Sequence, residues 1–344
     1  MRQSLGSDKT LKILVTGVAG FMGSHLADKF LSKGHEVIGI DNLIGGYRSN
    51  VPDGVEFIQK DLADLQGIES YFRGVDLVVH TACTAYEGLS VFSPALIVKN
   101  TVQITTTVMS ACVKNGVKKI VHMSSMARYG TQESVPFVED MTPKPQDPYG
   151  IAKYAAELLI KNIAETHGMK FVILVPHNII GPRQKYDDPF RNVASIMVNR
   201  ILQGKQPIIY GDGNQMRCFS FMNDVIDPLV VACESSIVDG MIVNIGPDEE
   251  FVTINELAVR ISSILGVELD PIYMPGRPQE VLHANCSADL ARRLLSYSTK
   301  TTLDEGLVEL VEWIKENGVR EFDYHLPLEF ITDLTPKTWT QQLI

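Results

Sequence analysis

Tyr149 and Lys153 stand four residues apart in Asp147-Pro148-Tyr149-Gly150-Ile151-Ala152-Lys153, a stretch that reads as the opening turn of a helix. Asp147 suits the N-cap, and Pro148 the first helical position, where a missing N–H costs nothing. Residues four apart share a helical face, so the phenol and the ammonium point the same way. A phenol with a pKa of about 10 is a poor base. A fixed ammonium beside it favours the phenolate and lowers that value. The pair is a candidate proton acceptor for an alcohol undergoing oxidation. Alone it means little, because 11 tyrosines in 344 residues make such a spacing easy to reach by chance. The bland alternative is an exposed aromatic beside a solvated lysine.

The elements before it give the pair weight. Residues 11–16 form a short apolar β-type run, followed by Gly17-Val18-Ala19-Gly20-Phe21-Met22-Gly23 and a helical pattern to Lys33 closed by Gly34. Residues 36–41 form a second buried-strand pattern ending in Asp41, with Asn42 next. Strand, glycine turn, helix, strand, acid is a dinucleotide-binding order. The glycines let a pyrophosphate approach the helix N-terminus, where amide donors favour anions. A carboxylate at Asp41 can accept from both ribose hydroxyls and repels a 2′-phosphate, so NAD is expected rather than NADP. Further strands are predicted at 55–58, 76–80, 117–122 and 171–175. A helix opening at Asn100 and running to Asn115 is expected between two of them.

Composition bounds the function. The net charge of −10 argues against nucleic acid or anionic membrane as partner. Five cysteines without a C-x-x-C pair suit a reducing cytoplasm and give no reason for a structural metal. No apolar run reaches the length of a membrane span, and the first residues lack a signal-peptide core.

The glycine spacing is G-x-x-G-x-x-G, and with the later motifs it resembles the extended short-chain dehydrogenase/reductase family, more narrowly its NAD-dependent nucleotide-sugar epimerases and dehydratases. The resemblance runs to about residue 315. It implies an α/β fold, with a Rossmann-type doubly wound parallel sheet and a smaller C-terminal lobe for the sugar nucleotide. Residues 1–180, with a return at about 220–246, would form the NAD-binding domain. Residues 181–219 and 247–344 would form the substrate lobe and a tail that matches no motif. By resemblance, Asp61 and Leu62 lie against the adenine, Thr81-Ala82 follow the fourth strand, and Pro176-His177 stands where the family has an aromatic pair. Ser125, at the end of the fifth strand, corresponds to the serine that bonds the reacting hydroxyl and the tyrosine; counting back from Tyr129-Gly130 selects it over Ser124. Asn178, Asn192, Arg217 and Arg277 match substrate-binding positions, and two guanidinium forks suit a diphosphate.

The positions after Ser125 separate chemistries. By resemblance, sugar dehydratases carry an acid pair there and decarboxylases a glutamate, whereas this chain has Met126 and Ala127, which cannot transfer a proton. Hydride chemistry at one carbon remains, and a nucleotide-sugar 4-epimerase, on a UDP-sugar, is the expected function. Catalytic roles then fall to Ser125, Tyr149 and Lys153, with the last two also meeting the nicotinamide end of NAD. The alternatives are a net oxidoreductase, a dehydratase or decarboxylase drawing on Glu87, and a silent dinucleotide sensor, which gives no reason for the three residues to occur together. Counting on from Arg277 places a gate for the sugar's 2-substituent near Ala284 or Asn285. The family also implies a homodimer built from helices near 100–115 and 149–166.

Overall fold

The computed structural model describes residues 10–280 and 285–344. Seven strands form the central sheet: β1 (Lys12–Thr16), β2 (Glu36–Asp41), β3 (Glu56–Gln59), β4 (Leu77–His80), β5 (Lys119–Met123), β6 (Lys170–Pro176) and β7 (Ile242–Ile245). Their spatial order is β7-β6-β5-β4-β1-β2-β3, and every pairing is parallel. The order reverses beside β1, between crossovers to β2 and to β4, and open sheets of this kind bind ligands at the carboxyl ends of the strands there.

The continuous apolar strands are explained by burial on both faces. Ile13 and Val15 of β1 enter one core with Leu26 and Phe30 of α1 (Phe21–Ser32). Leu14 enters the opposite core with Val108 of α2 (Ile104–Asn115) and Ile160 of α3 (Pro148–His167). Helix α4 (Met222–Glu234) returns to the first face and packs on α1. A third core, with Met197, Leu257 and Leu310, holds together the helices at residues 193–202, 254–265 and 303–317.

Asn100 does not open a helix as the sequence suggested. Pro94 takes the first turn, where its missing N–H costs nothing, and the helical path continues through a π-helical segment at Lys99–Gln103 into α2. Asn100 lies inside that wider turn, 6% exposed, facing the cleft. Such an inserted turn re-aims side chains within a helix.

The last residues, silent in the sequence, run back across the molecule. Glu329 accepts from the amides of Ala95 and Leu96 at 3.0 and 2.7 Å, capping the helix that Pro94 begins. His325 bonds the Ile44 carbonyl at 3.0 Å, beside the loop after β2. Trp339 packs against Phe92 and Phe190 in a fourth core that also contains Tyr149. Among the described residues, no helix is long and apolar enough to cross a membrane.

Candidate active site

A cleft of about 430 Å³ opens at the carboxyl ends of the strands. The residues given catalytic, cofactor or substrate-binding roles from the sequence line it, from Gly17 at the cofactor end to Arg277 at the other, the gate position near 284 and 285 apart.

At the first end, Gly17 follows β1 with φ +73°, and a Cβ there would come within 2.8 Å of the Ala82 backbone. A Cβ on Gly23 would meet the Gly17 carbonyl at 2.2 Å. Only glycine lets α1 begin this close to β1 and β4. Gly20 is the N-cap and no side chain caps the helix, so the first-turn amides of Phe21, Met22 and Gly23 border the cleft as donors. Asp41 ends β2, accepting from Ala19 N at 2.9 Å and Leu43 N at 2.6 Å, and burial pushes its pKa up against those bonds. Asp61 pairs with Lys99 at 3.0 Å. This cradle fits a dinucleotide: a glycine-floored anion site at a helix start, then an acid at the end of the next strand.

At the centre, Asp147 caps α3 by accepting from Gly150 N at 2.9 Å, as the sequence predicted. Ser125 lies beside Tyr149, where its hydroxyl favours the phenolate. Ser124 is used differently, bonding Glu157, which pairs with Arg128 at 3.0 Å where both side chains are buried. That ion pair ties the turn after β5 to α3 and so fixes Ser125 against Tyr149. Lys153, 1% exposed, donates to the Met123 carbonyl at 2.8 Å and lies 5.9 Å from the centre of the Tyr149 ring.

The acidity of Tyr149 departs from the expectation. Burial holds its pKa well above the ordinary phenol value; Cys83 raises it too, Ser125 lowers it, and Glu87 and Asp147 raise it again. Lys153 alone does not overcome desolvation of the phenolate.

His80 and His177 pack rather than react. His80 bonds Thr16 at 2.8 Å and Thr105 at 3.0 Å, and burial lowers its pKa to about 3. His177 is fully buried with neither ring nitrogen partnered among the described residues, and burial lowers its pKa to about 4.

At the far end, Arg277 bonds Glu280 at 3.0 Å and stacks over Tyr210, while Arg217 lies 3.6 Å from the same carboxylate. Asn178 donates to the Cys218 carbonyl at 3.1 Å, and Asn192 caps residues 193–202 through Ala194 N. Thr81 donates to the Thr16 carbonyl at 2.6 Å, holding the segment of Ala82 against β1. Pro176 and Leu62 border the cleft, as does Asn42, whose Oδ1 accepts from Ile44 N at 3.2 Å.

Sequence reasoning missed Glu280, Tyr210, Arg191, Phe190 and Ile344, which also line the cleft. Glu280 had a signal, standing three residues after Arg277; Ile344 had none. Arg191 donates to the Gly45 carbonyl at 2.7 Å and closes the loop after β2 from across the cleft. Of the two positions proposed to gate the 2-substituent, Ala284 lies outside the described residues. Asn285 does not line the cleft; its carbonyl accepts from Phe137 N. Asn285 is drawn away from the cleft by this pairing with residue 137.

Residues 13–246 match the NAD dependent epimerase/dehydratase family. The chain belongs to that family. The UDP-glucose 4-epimerase of Mycolicibacterium smegmatis is 32% identical over 90% of this chain and 100% of its own length. The Thermotoga maritima UDP-glucose 4-epimerase solved with UDP-glucose superposes with a TM-score of 0.84 at 32% identity, covering 89% of this chain and 99% of that one. The Thermus thermophilus UDP-glucose 4-epimerase in complex with NAD gives 0.82 at 31% identity, covering 88% and 98%.

Proposed function

We propose that this protein is an NAD-dependent nucleotide-sugar 4-epimerase acting on a UDP-sugar. The observation that carries the reading is the placement of Ser125, Tyr149 and Lys153 between a dinucleotide cradle and the arginines Arg217 and Arg277 within one cleft. When bound in the cradle of Gly17, Gly20, Gly23 and Asp41, NAD would supply the hydride acceptor. Tyr149 takes the proton of the sugar's 4-hydroxyl as hydride leaves C4, and Ser125 orients that hydroxyl. Lys153 stabilises the developing phenolate. Arg217 and Arg277 keep the diphosphate while the 4-keto sugar turns, so hydride returns to its other face and Tyr149 gives the proton back. Met126 and Ala127 offer no acid for loss of water.

The experiment is incubation with UDP-, GDP- and dTDP-sugars without added cofactor, read by NMR. A mixture of C4 epimers is expected from a UDP-sugar. A requirement for stoichiometric NAD, or loss of water or carbon dioxide, would replace the reading with another chemistry.

The same reading includes a homodimer. Ile151 and Leu158 on α3 and Val98 on the neighbouring helix are 53%, 51% and 48% exposed, an outward apolar face suited to a second copy. The five unpaired cysteines suit a reducing, cytoplasmic setting.

A further inference from the structure

Two acids line the substrate end of the cleft among the described residues, Glu87 and Glu280. Glu280 is spent on the arginines. Glu87 is not: its carboxylate makes no hydrogen bond to the described residues, and it is exposed only into a cleft whose walls surround it. It opens the short helix Glu87–Ser90, steadied by Ser90 donating to the Glu87 carbonyl at 2.6 Å. Beside it, a Cβ on Gly88 would lie 3.2 Å from the Trp339 ring and 3.4 Å from Arg277, so the turn is packed closely between the two.

The groups facing Glu87 place it. Asp147 and Tyr149 approach from α3, Arg217 from the short strand Met216–Arg217, and Arg277 with Glu280 from the loop at 275–280. A hexose whose 4-hydroxyl meets Tyr149 and whose diphosphate meets the arginines must cross this gap. We propose that Glu87 selects the sugar, accepting from a hydroxyl or ammonium substituent of the ring and rejecting sugars that carry a carboxylate. The proposal rests on the nucleotide-sugar reading above and adds the class of sugar.

A uronate would bring an anion beside Glu87 with both arginines already committed to the diphosphate and Glu280, and unpaired like charges in such a site repel strongly. Burial first, then Asp147, push the Glu87 pKa up to about 7, against Arg217 and Arg277. A bound diphosphate moves it higher still. Rejection therefore strengthens as pH rises through and above 7, and relaxes below, where the protonated carboxyl donates a hydrogen bond instead.

The test measures kcat/KM for UDP-glucose and UDP-glucuronate at about pH 6 and 8.5, for wild type, Glu87→Gln and Glu87→Ala. The expected wild-type preference for UDP-glucose grows with pH. In both variants at the higher pH it falls by about tenfold, the size of one lost repulsion across a solvated gap, and its pH dependence disappears. A purely structural role would lower both substrates alike and leave the ratio unmoved. A wild-type preference for the uronate, or a ratio unchanged in both variants, overturns the role of Glu87 and leaves the epimerase reading standing. Absence of turnover with any nucleotide sugar overturns that reading, and the assignment of Glu87 with it.

Discussion

Lys153 holds its ammonium 5.9 Å from the centre of the Tyr149 ring, tethered by a 2.8 Å hydrogen bond to the Met123 carbonyl at the end of β5. The tether is a backbone oxygen, and the nearby Glu157 carboxylate is itself paired with Arg128, so the lysine's charge reaches the phenol. That charge also helps to keep the neighbouring imidazoles of His80 and His122 neutral. Removing it should leave the phenol harder to ionise. For Lys153→Met we expect lower kcat/KM and an acidic limb of its pH profile displaced to higher pH. A limb that stays in place would separate the lysine from the tyrosine's ionisation.

Tyr149→Phe keeps the ring in its core and removes the hydroxyl beside Ser125. Turnover should fall about 100- to 10,000-fold, the range for a lost general base. NAD retention, read by absorbance of the released nucleotide, should persist. Near-normal turnover would refute the assignment.

The cofactor end was legible because its signal is local. Gly17, Gly20, Gly23 and Asp41 lie within one strand–helix–strand unit, and at Gly17 and Gly23 the backbone leaves no room for a Cβ. Arg217 sits on a two-residue strand and Arg277 on a separate loop, so resemblance rather than periodicity found them. The wall behind Gly88 was invisible, because Trp339 reaches it through contacts that no sequence spacing encodes. The raised pKa of Tyr149 was also out of reach, since it depends on how completely the fold excludes water from the phenol. Asn100 was misread as a helix start because a π-helical turn has no compositional mark distinguishing it from the α-helix around it.

Asp41 accepts from Ala19 N and Leu43 N, so it both orders the loop after β2 and presents negative charge where a ribose would sit. Asp41→Ala should reduce NAD bound after purification. It should also shift the NAD-to-NADP affinity ratio toward NADP by about tenfold, as expected when one anion near a 2′-phosphate is removed. Calorimetric titration of the two dinucleotides checks this, and an unchanged ratio would leave Asp41 a purely structural residue.

His177 stands where the resemblance places an aromatic ring, and it is buried neutral with its pKa lowered to about 4. The folded value lies below the unfolded value of about 6.5, so the unfolded chain takes up the proton first as pH falls. Its contribution to stability is therefore complete above about 6.5 and is lost toward 4, at about 1.4 kcal/mol per pH unit. Urea denaturation of His177→Phe at pH 7, 6 and 5 should show a shallower loss than wild type. Parallel slopes would mean that His177 is not the group being titrated.

Trp339 is 4% exposed, with ring centres 6.0 Å from Phe92 and 5.2 Å from Phe190, and its far edge lies against Gly88. Around it, Thr338 bonds Tyr210, the Leu343 carbonyl accepts from Arg200 at 2.7 Å, and Ile344 N donates to Tyr324. Loss of the ring removes packing from two places at once, the fourth core and the support of the Glu87 turn. Trp339→Ala should cost about 3–5 kcal/mol, as for other buried aromatics. Because Tyr149 shares that core but is also held by the capped first turn of α3, KM for the nucleotide sugar should rise more than kcat falls. Leu334→Ala, in the same segment but 69% exposed, supplies the control and should change stability by less than about 0.5 kcal/mol. Equal effects from the two substitutions would show that the segment covers the cleft without supporting it.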